Sequence, residues 1–191
     1  MEFDAVFIIG PQGSGKNTQA SVLAARLGFF FWETGATLRK NADTMLSSGE
    51  RVGDILKSGR LFADEELMEV IEEELRKLPR DKGIVLEGIP RRVSQAELIL
   101  KFLESIGKHQ FATIFLDLPK EESIQRLLLR AEKEGRSDDT REAIGRRLAA
   151  YHADTVPMLE FLKGRTAFFN IDGRPSVEEV TRSVNKALGL T

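Results

Sequence analysis

Residues 5–16 read AVFIIGPQGSGK, and this stretch decides the fold. Its first five residues are apolar and rich in β-branched side chains, which is typical of a short strand covered on both faces. The remainder has two glycines separated by four residues and followed by a lysine, between a strand and a helix. Glycines let backbone N–H groups approach phosphate oxygens, and the helix start adds a favourable dipole. The stretch therefore predicts a loop that binds a nucleoside triphosphate, here called the P-loop (Gly10–Thr18).

The triphosphate is expected to contact six residues of the P-loop: Gly13, Ser14, Gly15, Lys16, Asn17 and Thr18. The ammonium group of Lys16 is expected to neutralise the β and γ phosphates. The general pattern has serine or threonine directly after the lysine, where this chain has Asn17, so direct ligation of magnesium by a hydroxyl is not expected there. A glycine-rich turn with a purely structural role is the alternative, but the lysine and the strand-to-helix setting favour phosphate.

Strands and helices are predicted to alternate along the chain. Apolar runs predict further strands at residues 29–32, 84–86, 112–116 and 167–171. Helical periodicity covers residues 19–27, 67–78, 95–106, 121–130, 141–162 and 177–188. Such alternation is typical of a parallel sheet wrapped by helices. The predicted fold is therefore an α/β, three-layer P-loop fold with a five-stranded parallel sheet, formed by residues 1–191 as one domain.

Two stretches fit the alternation poorly. Residues 34–63 are polar and punctuated by glycine, with two weak helices at 37–46 and 52–58, and we expect a small excursion from the core. Residues 131–140, AEKEGRSDDT, are charged and almost without apolar side chains, which predicts a mobile surface loop.

Composition excludes several functions. The chain has 28 basic and 30 acidic residues, a net charge of −2, so neither nucleic acid nor an anionic membrane is an expected partner. It has no cysteine and two distant histidines, which argues against disulfides and zinc. The acidic N-terminus does not resemble a signal peptide, and no apolar run approaches the roughly 20 residues that span a bilayer. We expect a cytoplasmic protein.

Several motifs together resemble the adenylate kinase family. They are the P-loop, TGATLR at residues 34–39, EGIPR at 87–91 followed by Gln95, the arginine pair Arg126 and Arg130, and GRSDD at 135–139 followed by RRL at 146–148. Their spacing agrees with the family from Phe7 to about Gly173. The resemblance implies two moving parts, a monophosphate-binding segment at residues 34–63 and a short lid at 131–141. The short lid lacks the cysteines with which longer lids hold zinc.

The resemblance implies a role for each motif residue. In addition to the P-loop, the ATP site would include Arg126 and Gly173. The AMP site would include Thr34, Arg39, Gly88, Arg91, Gln95, Arg136 and Arg147. Catalysis would rest on Lys16, Arg91, Arg130, Arg136 and Arg147, because phosphoryl transfer depends on positioning and positive charge. The cofactor would be Mg²⁺, with Glu87 on the metal side through a bound water.

The resemblance implies reversible transfer of the γ-phosphoryl group of magnesium-ATP to AMP by a monomer. Gln95 offers a donor and an acceptor, which match the edge of adenine. Two alternatives remain open. Kinases for UMP or CMP are also similar to this chain, although they usually have asparagine in place of Gln95. A non-catalytic nucleotide-binding protein of the same fold is the other, since Asn17, Ala36 and Glu87 depart from the family pattern.

Overall fold

The computed structural model describes residues 2–58, 62–134, 144–145, 148–149 and 151–190. Its centre is a parallel sheet of five strands in the order β2-β3-β1-β4-β5. The strands are β1 (Ala5–Ile9), β2 (Phe30–Glu33), β3 (Ile84–Glu87), β4 (Phe111–Asp117) and β5 (Ala167–Asp172). All four neighbouring pairs are parallel, which confirms the predicted sheet.

Helices cover both faces of this sheet. They are α1 (Lys16–Leu27), α2 (Thr34–Lys40), α3 (Val52–Ser58), α4 (Asp64–Leu75), α5 (Val93–Ser105), α6 (Lys120–Glu134), α7 (Val156–Lys163) and α8 (Val177–Ala187). In the part of the chain that the structure describes, each helix is too short or too polar to cross a membrane.

The two faces of the sheet bury separate clusters, because alternate strand residues point to opposite sides. On one face, Phe7, Trp32 and Leu86 pack with α4, α5 and α7. On the other face, Ile8 and Val85 pack with α1 and α8. All five residues of β1 are buried, as expected for a strand in the middle of three layers. The three-layer α/β prediction is confirmed.

Residues 141–162, predicted as one helix, are not one helix where the structure describes them. A π-helical turn covers Tyr151–Thr155, and α7 begins only at Val156. Pro157 lies in the first turn of α7, where its missing N–H costs nothing. A proline inside a continuous helix would lose a hydrogen bond and clash with the carbonyl four residues earlier. The prediction was wrong because this proline was overlooked.

Helix α6 extends into the segment predicted as a lid loop. It ends at Glu134, so residues 131–134 are helical. Alanine, glutamate and lysine are strong helix formers, and that composition continues the preceding helix. The predicted loop was therefore wrong for these four residues. Residues 135–141 of the proposed lid lie outside the described part of the chain.

Four of the five strands end in an acidic residue. These residues are Glu33, Glu87, Asp117 and Asp172, at the carboxyl ends of β2, β3, β4 and β5. Parallel strands place all their carboxyl ends at one edge of the sheet, where ligands of open α/β folds bind. The P-loop, which follows β1, lies at the same edge. The fold therefore brings a phosphate cradle and several carboxylates together.

Candidate functional site

The P-loop has the backbone geometry of a phosphate cradle. Gly13 and Gly15 have φ values of 83° and 85°, which L-residues with side chains rarely adopt. A Cβ on Gly13 would also lie 3.2 Å from the Ser123 carbonyl oxygen. Gly15 caps α1, and the first helical bond runs from the Gln19 N–H to the Gly15 carbonyl at 3.0 Å. The N–H groups before Gln19 therefore lie at the start of the helix dipole, where anions bind.

Side chains around the cradle hold its shape. The Ser123 hydroxyl donates to the Gln12 carbonyl and ties the loop to α6. The Lys16 ammonium donates to the Pro11 carbonyl at 2.8 Å and so folds back over the loop. The Ser14 hydroxyl is buried, at 3% exposure, and has no hydrogen-bond partner among the described residues. A buried hydroxyl without a partner is costly, and a phosphate oxygen would satisfy it.

Glu33 and Glu87 form a carboxylate pair beside the cradle. They are register partners in the parallel strands β2 and β3, so they point to the same face of the sheet. Burial raises the pKa of Glu87, and the Glu33 charge adds to this, while Lys16 and Arg91 act in the opposite direction. The sequence did not predict a role for Glu33, because the pairing of distant strands cannot be read from the chain.

The carboxylate pair fits magnesium better than a metal held by protein alone. No group of three potential metal-ligating side chains occurs within the described residues. Magnesium keeps several waters and needs only one or two carboxylates in addition to substrate phosphates. Glu87 and Glu33, beside Lys16, supply oxygen ligands of that kind. Glu87 therefore remains the candidate on the metal side, with Glu33 next to it.

Three of the predicted AMP-site residues lie together where β2 and β3 end. The Thr34 hydroxyl donates to the Glu87 carbonyl at 2.8 Å and accepts from the Trp32 indole at 3.0 Å. Gly88 has a φ of 86°, and a Cβ there would lie 2.9 Å from the Thr34 hydroxyl oxygen. The Arg91 Nε donates to the Gly88 carbonyl at 2.9 Å. The motifs TGATLR and EGIPR are therefore in contact in the fold.

Arg39 and Gln95 flank this group. Arg39 is largely exposed, and its guanidinium nitrogen lies 3.9 Å from a Glu33 carboxylate oxygen. Gln95 is buried, and its Oε1 accepts from the Arg91 backbone N–H at 2.8 Å. Its Nε2 donates to Asp64 Oδ1 at 2.9 Å. Both ends of the Gln95 amide thus have protein partners, which the sequence did not predict.

Asp64 and Arg92 are the residues that sequence reasoning missed here. Asp64 begins α4 and accepts from the Arg92 guanidinium at 2.5 Å and from the Ser94 hydroxyl, as well as from Gln95. An acidic residue in the first turn of a helix has an ordinary dipole role, and an arginine at the start of a helix gives no signal of its own in the sequence. Since Asp64 and Gln95 are 31 residues apart, their contact is a product of the fold.

Arg126 and Gly173 lie against the other side of the cradle. The Arg126 guanidinium donates to the Gly173 and Arg174 carbonyls at 2.9 and 2.8 Å. A Cβ on Gly13 would lie 3.5 Å from the Arg126 Cβ, so this arginine borders the P-loop. Gly173 donates to the Asp117 carbonyl at 2.7 Å, and a Cβ there would lie 2.9 Å from the same oxygen. These contacts place both predicted ATP residues next to the cradle.

The structure does not describe the side chains of three predicted catalytic arginines. Arg136 and Arg147 are outside the described residues, and of Arg130 the helix backbone is described without its side chain. The lid residues Asp138 and Asp139 are also outside. Their predicted roles stay predictions.

A parallel sheet whose first strand leads through a glycine-rich cradle into a helix, with lysine over the loop, defines a P-loop nucleotide-binding protein. The family model described as adenylate kinase matches residues 8–167. Adenylate kinases from Thermus thermophilus and Cyanothece sp. are each 38% identical, covering 97% and 94% of this chain and 97% and 92% of the relatives. That of Maricaulis maris is 36% identical, covering 96% of this chain and 97% of the relative.

The chain belongs to the adenylate kinase family. It is therefore a phosphotransferase of the nucleoside monophosphate kinase class.

Proposed function

We propose that this chain transfers the γ-phosphoryl group of magnesium-ATP reversibly to AMP, giving two ADP. The observation that carries the proposal is the arrangement at the carboxyl edge of the sheet. The P-loop with Lys16 leads from β1, and the group Thr34, Gly88 and Arg91 lies at the ends of the neighbouring β2 and β3. This arrangement supports a triphosphate and a second phosphate bound side by side at one edge of the sheet.

On the donor side, the N–H groups at the start of α1 would bind the α and β phosphates. The Lys16 ammonium would leave the Pro11 carbonyl and bind the β and γ phosphate oxygens instead. This movement is short, because Pro11 lies in the same loop that would hold the phosphates. Arg126 and Gly173, which border the cradle, would face the adenine. The residues Gly13, Ser14, Gly15, Asn17 and Thr18 complete the proposed donor site.

On the acceptor side, Arg39 and Arg91 would hold the AMP phosphate. Guanidinium groups bind phosphate in a planar, bidentate way that lysine cannot reproduce. Arg39 is exposed and joined to Glu33 by a long contact of 3.9 Å, so little holds it back from a phosphate. Thr34 and Gly88 line the same place, and Gln95 would contact the base.

Magnesium is the proposed cofactor, and Glu87, through a water, is the residue proposed to hold it. When bound, the ion neutralises charge on the phosphates during transfer. Glu33, in register with Glu87, adds a second carboxylate on the same face.

The proposal extends to two segments that close over the nucleotides, residues 34–63 and the lid 131–141. Arg130, Arg136 and Arg147 would come to the transferring phosphoryl group with the lid, which their motif positions support. Closure excludes water that would otherwise accept the phosphoryl group. Because one chain carries both proposed sites, we propose a monomer, acting in the cytoplasm.

Substrate profiling tests the proposal. The chain is incubated with ATP, magnesium and one monophosphate at a time, AMP, UMP or CMP, and ADP is measured by a coupled assay. We expect rapid ADP formation with AMP and little with the pyrimidine nucleotides. Faster turnover with UMP or CMP would contradict the proposed acceptor. No turnover with any of the three would indicate a non-catalytic nucleotide-binding protein.

A further inference from the structure

We propose that Asp64 is a specificity-determining positioning residue, which fixes the orientation of the Gln95 amide so that the site accepts adenine and rejects 6-oxopurines. This inference rests on the proposed function, since it concerns the acceptor base. Its basis is the pair of hydrogen bonds that the buried Gln95 amide makes, to Asp64 on one side and to the Arg91 backbone on the other.

The two partners of Gln95 differ in polarity. The carboxylate of Asp64 can only accept, and the backbone N–H of Arg91 can only donate. Turning the amide by half a turn would bring Oε1 against the carboxylate and Nε2 against the N–H. Both hydrogen bonds would be lost. One acceptor would then face another acceptor at Asp64, and one donor would face another donor at Arg91. The orientation with Nε2 towards Asp64 is therefore fixed by chemistry.

Asp64 is itself held in place. Its Oδ1 accepts from the Arg92 guanidinium at 2.5 Å, and its Oδ2 accepts from the Ser94 hydroxyl. The side chain is 14% exposed, so water competes weakly for these oxygens. A carboxylate with three donors around it has little freedom to turn away from Gln95.

The fixed amide keeps one donor and one acceptor for a ligand. Nε2 has a second hydrogen and Oε1 a second lone pair, both beyond the bonds to protein. Asp64 and Gln95 line a small hollow with apolar walls that include Met68, Ile71 and Ile89.

This orientation matches the edge of adenine and opposes that of hypoxanthine. Adenine presents an exocyclic amine as donor and a ring nitrogen as acceptor. Hypoxanthine presents the reverse, a carbonyl oxygen as acceptor and a ring N–H as donor. If the Gln95 amide cannot turn, the carbonyl oxygen of hypoxanthine faces Oε1. Both oxygens are acceptors, so no hydrogen bond forms between them. An amide that could turn would bind either base.

The test compares AMP with inosine monophosphate (IMP) as acceptors in wild type, Asp64→Asn and Ser94→Ala. Asparagine has nearly the same shape but can donate as well as accept, so the variant removes one of the two contacts that oppose the turned amide and leaves the Arg91 N–H. We expect the ratio of kcat/KM for AMP to that for IMP to fall about tenfold in Asp64→Asn. Ser94→Ala removes one of the three donors to the same carboxylate but keeps the bond between Asp64 and Gln95, so its ratio should fall much less than that of Asp64→Asn.

An unchanged ratio in Asp64→Asn would overturn the inference, as would an equal fall in Ser94→Ala. Because the ratio compares two substrates on one enzyme, it does not depend on the fraction of folded variant. If the wild type phosphorylates no AMP, the proposed function itself is contradicted. If the wild type prefers AMP and Asp64→Asn has the same ratio, only this inference is contradicted.

A second measurement needs no change at position 64. In ¹⁵N–¹H spectra of wild type, the Gln95 side-chain amide is assigned by its loss in Gln95→Leu. We expect one of its two protons, the one bonded to Asp64, to exchange with water much more slowly than the other. Two protons that both exchange as fast as those of an exposed glutamine would overturn the inference.

Discussion

Lys16 shows how a single residue is prepared for its proposed role. Its ammonium lies on the Pro11 carbonyl at 2.8 Å, inside the loop that would hold the phosphates. The bond keeps the charge at the cradle, and it is weak enough to be exchanged for a doubly charged phosphate, since hydrogen bonds between charges are stronger than those to a neutral carbonyl.

Lys16→Ala should abolish most of the activity and leave the fold intact. A neutral side chain cannot stabilise charge on the phosphates, and we expect kcat to fall by at least about a hundredfold. Circular dichroism should show an unchanged fold, because Lys16 belongs to neither hydrophobic cluster of the sheet. Lys186→Ala, on an exposed position of α8, is the matched control. Normal turnover in Lys16→Ala would contradict the assigned role.

Glu87 and Glu33 show how strand register brings together two residues that are distant in sequence. The chain has alanine at position 36, where the family usually has an acidic residue. The parallel register of β2 and β3 places Glu33 beside Glu87. The two carboxylates lie on the face of the sheet that carries α1.

At the scale of elements, α2 and α4 are joined by an ion pair. Lys40, at the end of α2, lies 3.1 Å from Glu74 of α4, and Lys77 lies 2.8 Å from the same carboxylate. The hydrogen bond from Lys77 lowers the pKa of Glu74 most; burial opposes this shift, and Lys40 adds to it. Because α2 belongs to the proposed monophosphate-binding segment, the pair ties this segment to the core.

Glu74→Gln should loosen α2 at neutral pH. The neutral amide loses its attraction to Lys40, at a cost of on the order of 1 kcal/mol or less. Hydrogen exchange of the α2 amides should become faster than in wild type. The lowered pKa means that the contribution of Glu74 is complete above its ordinary value of 4.5 and disappears as the pH falls through the folded value, so the difference should vanish in acid.

Glu73→Gln is the matched control, since Glu73 also contacts Lys77, at 3.1 Å, but forms no ion pair with a described residue of α2. It should leave α2 exchange unchanged. An equal effect of both variants would show that the charge of α4, and not the bond to Lys40, holds the segment.

At the scale of the whole molecule, the sequence predicts the three layers of sheet and helices, but it predicts only part of the candidate site. The strands appear in the sequence as local apolar runs such as residues 5–9, and the P-loop is contiguous. The contacts Glu33–Glu87 and Asp64–Gln95 join residues far apart in sequence, so they depend on strand register and helix placement. The break before α7 does have a local signal, Pro157. The apolar periodicity continues across this proline, so it predicted one unbroken helix.

Leu86→Ala tests the core on which this architecture depends. Leu86 has no exposed surface and packs between the sheet and the helices α4 and α5. Its truncation leaves a cavity and should lower the free energy of unfolding by about 2–5 kcal/mol. Leu98→Ala, at a position that is 37% exposed on α5, should cost less than about 1 kcal/mol. Urea unfolding measures both, and equal costs would contradict the assigned layers.

The donor and acceptor sites are proposed to meet at one edge of the sheet. A ligand with two adenosines joined by five phosphates tests it directly, because such a molecule can span two sites only if they face each other at that distance. Calorimetry should show one ligand per chain, bound at least about a hundredfold more tightly than ATP, and weakened in both Lys16→Ala and Arg91→Ala. Two ligands per chain, or an affinity no higher than that of ATP, would contradict the account.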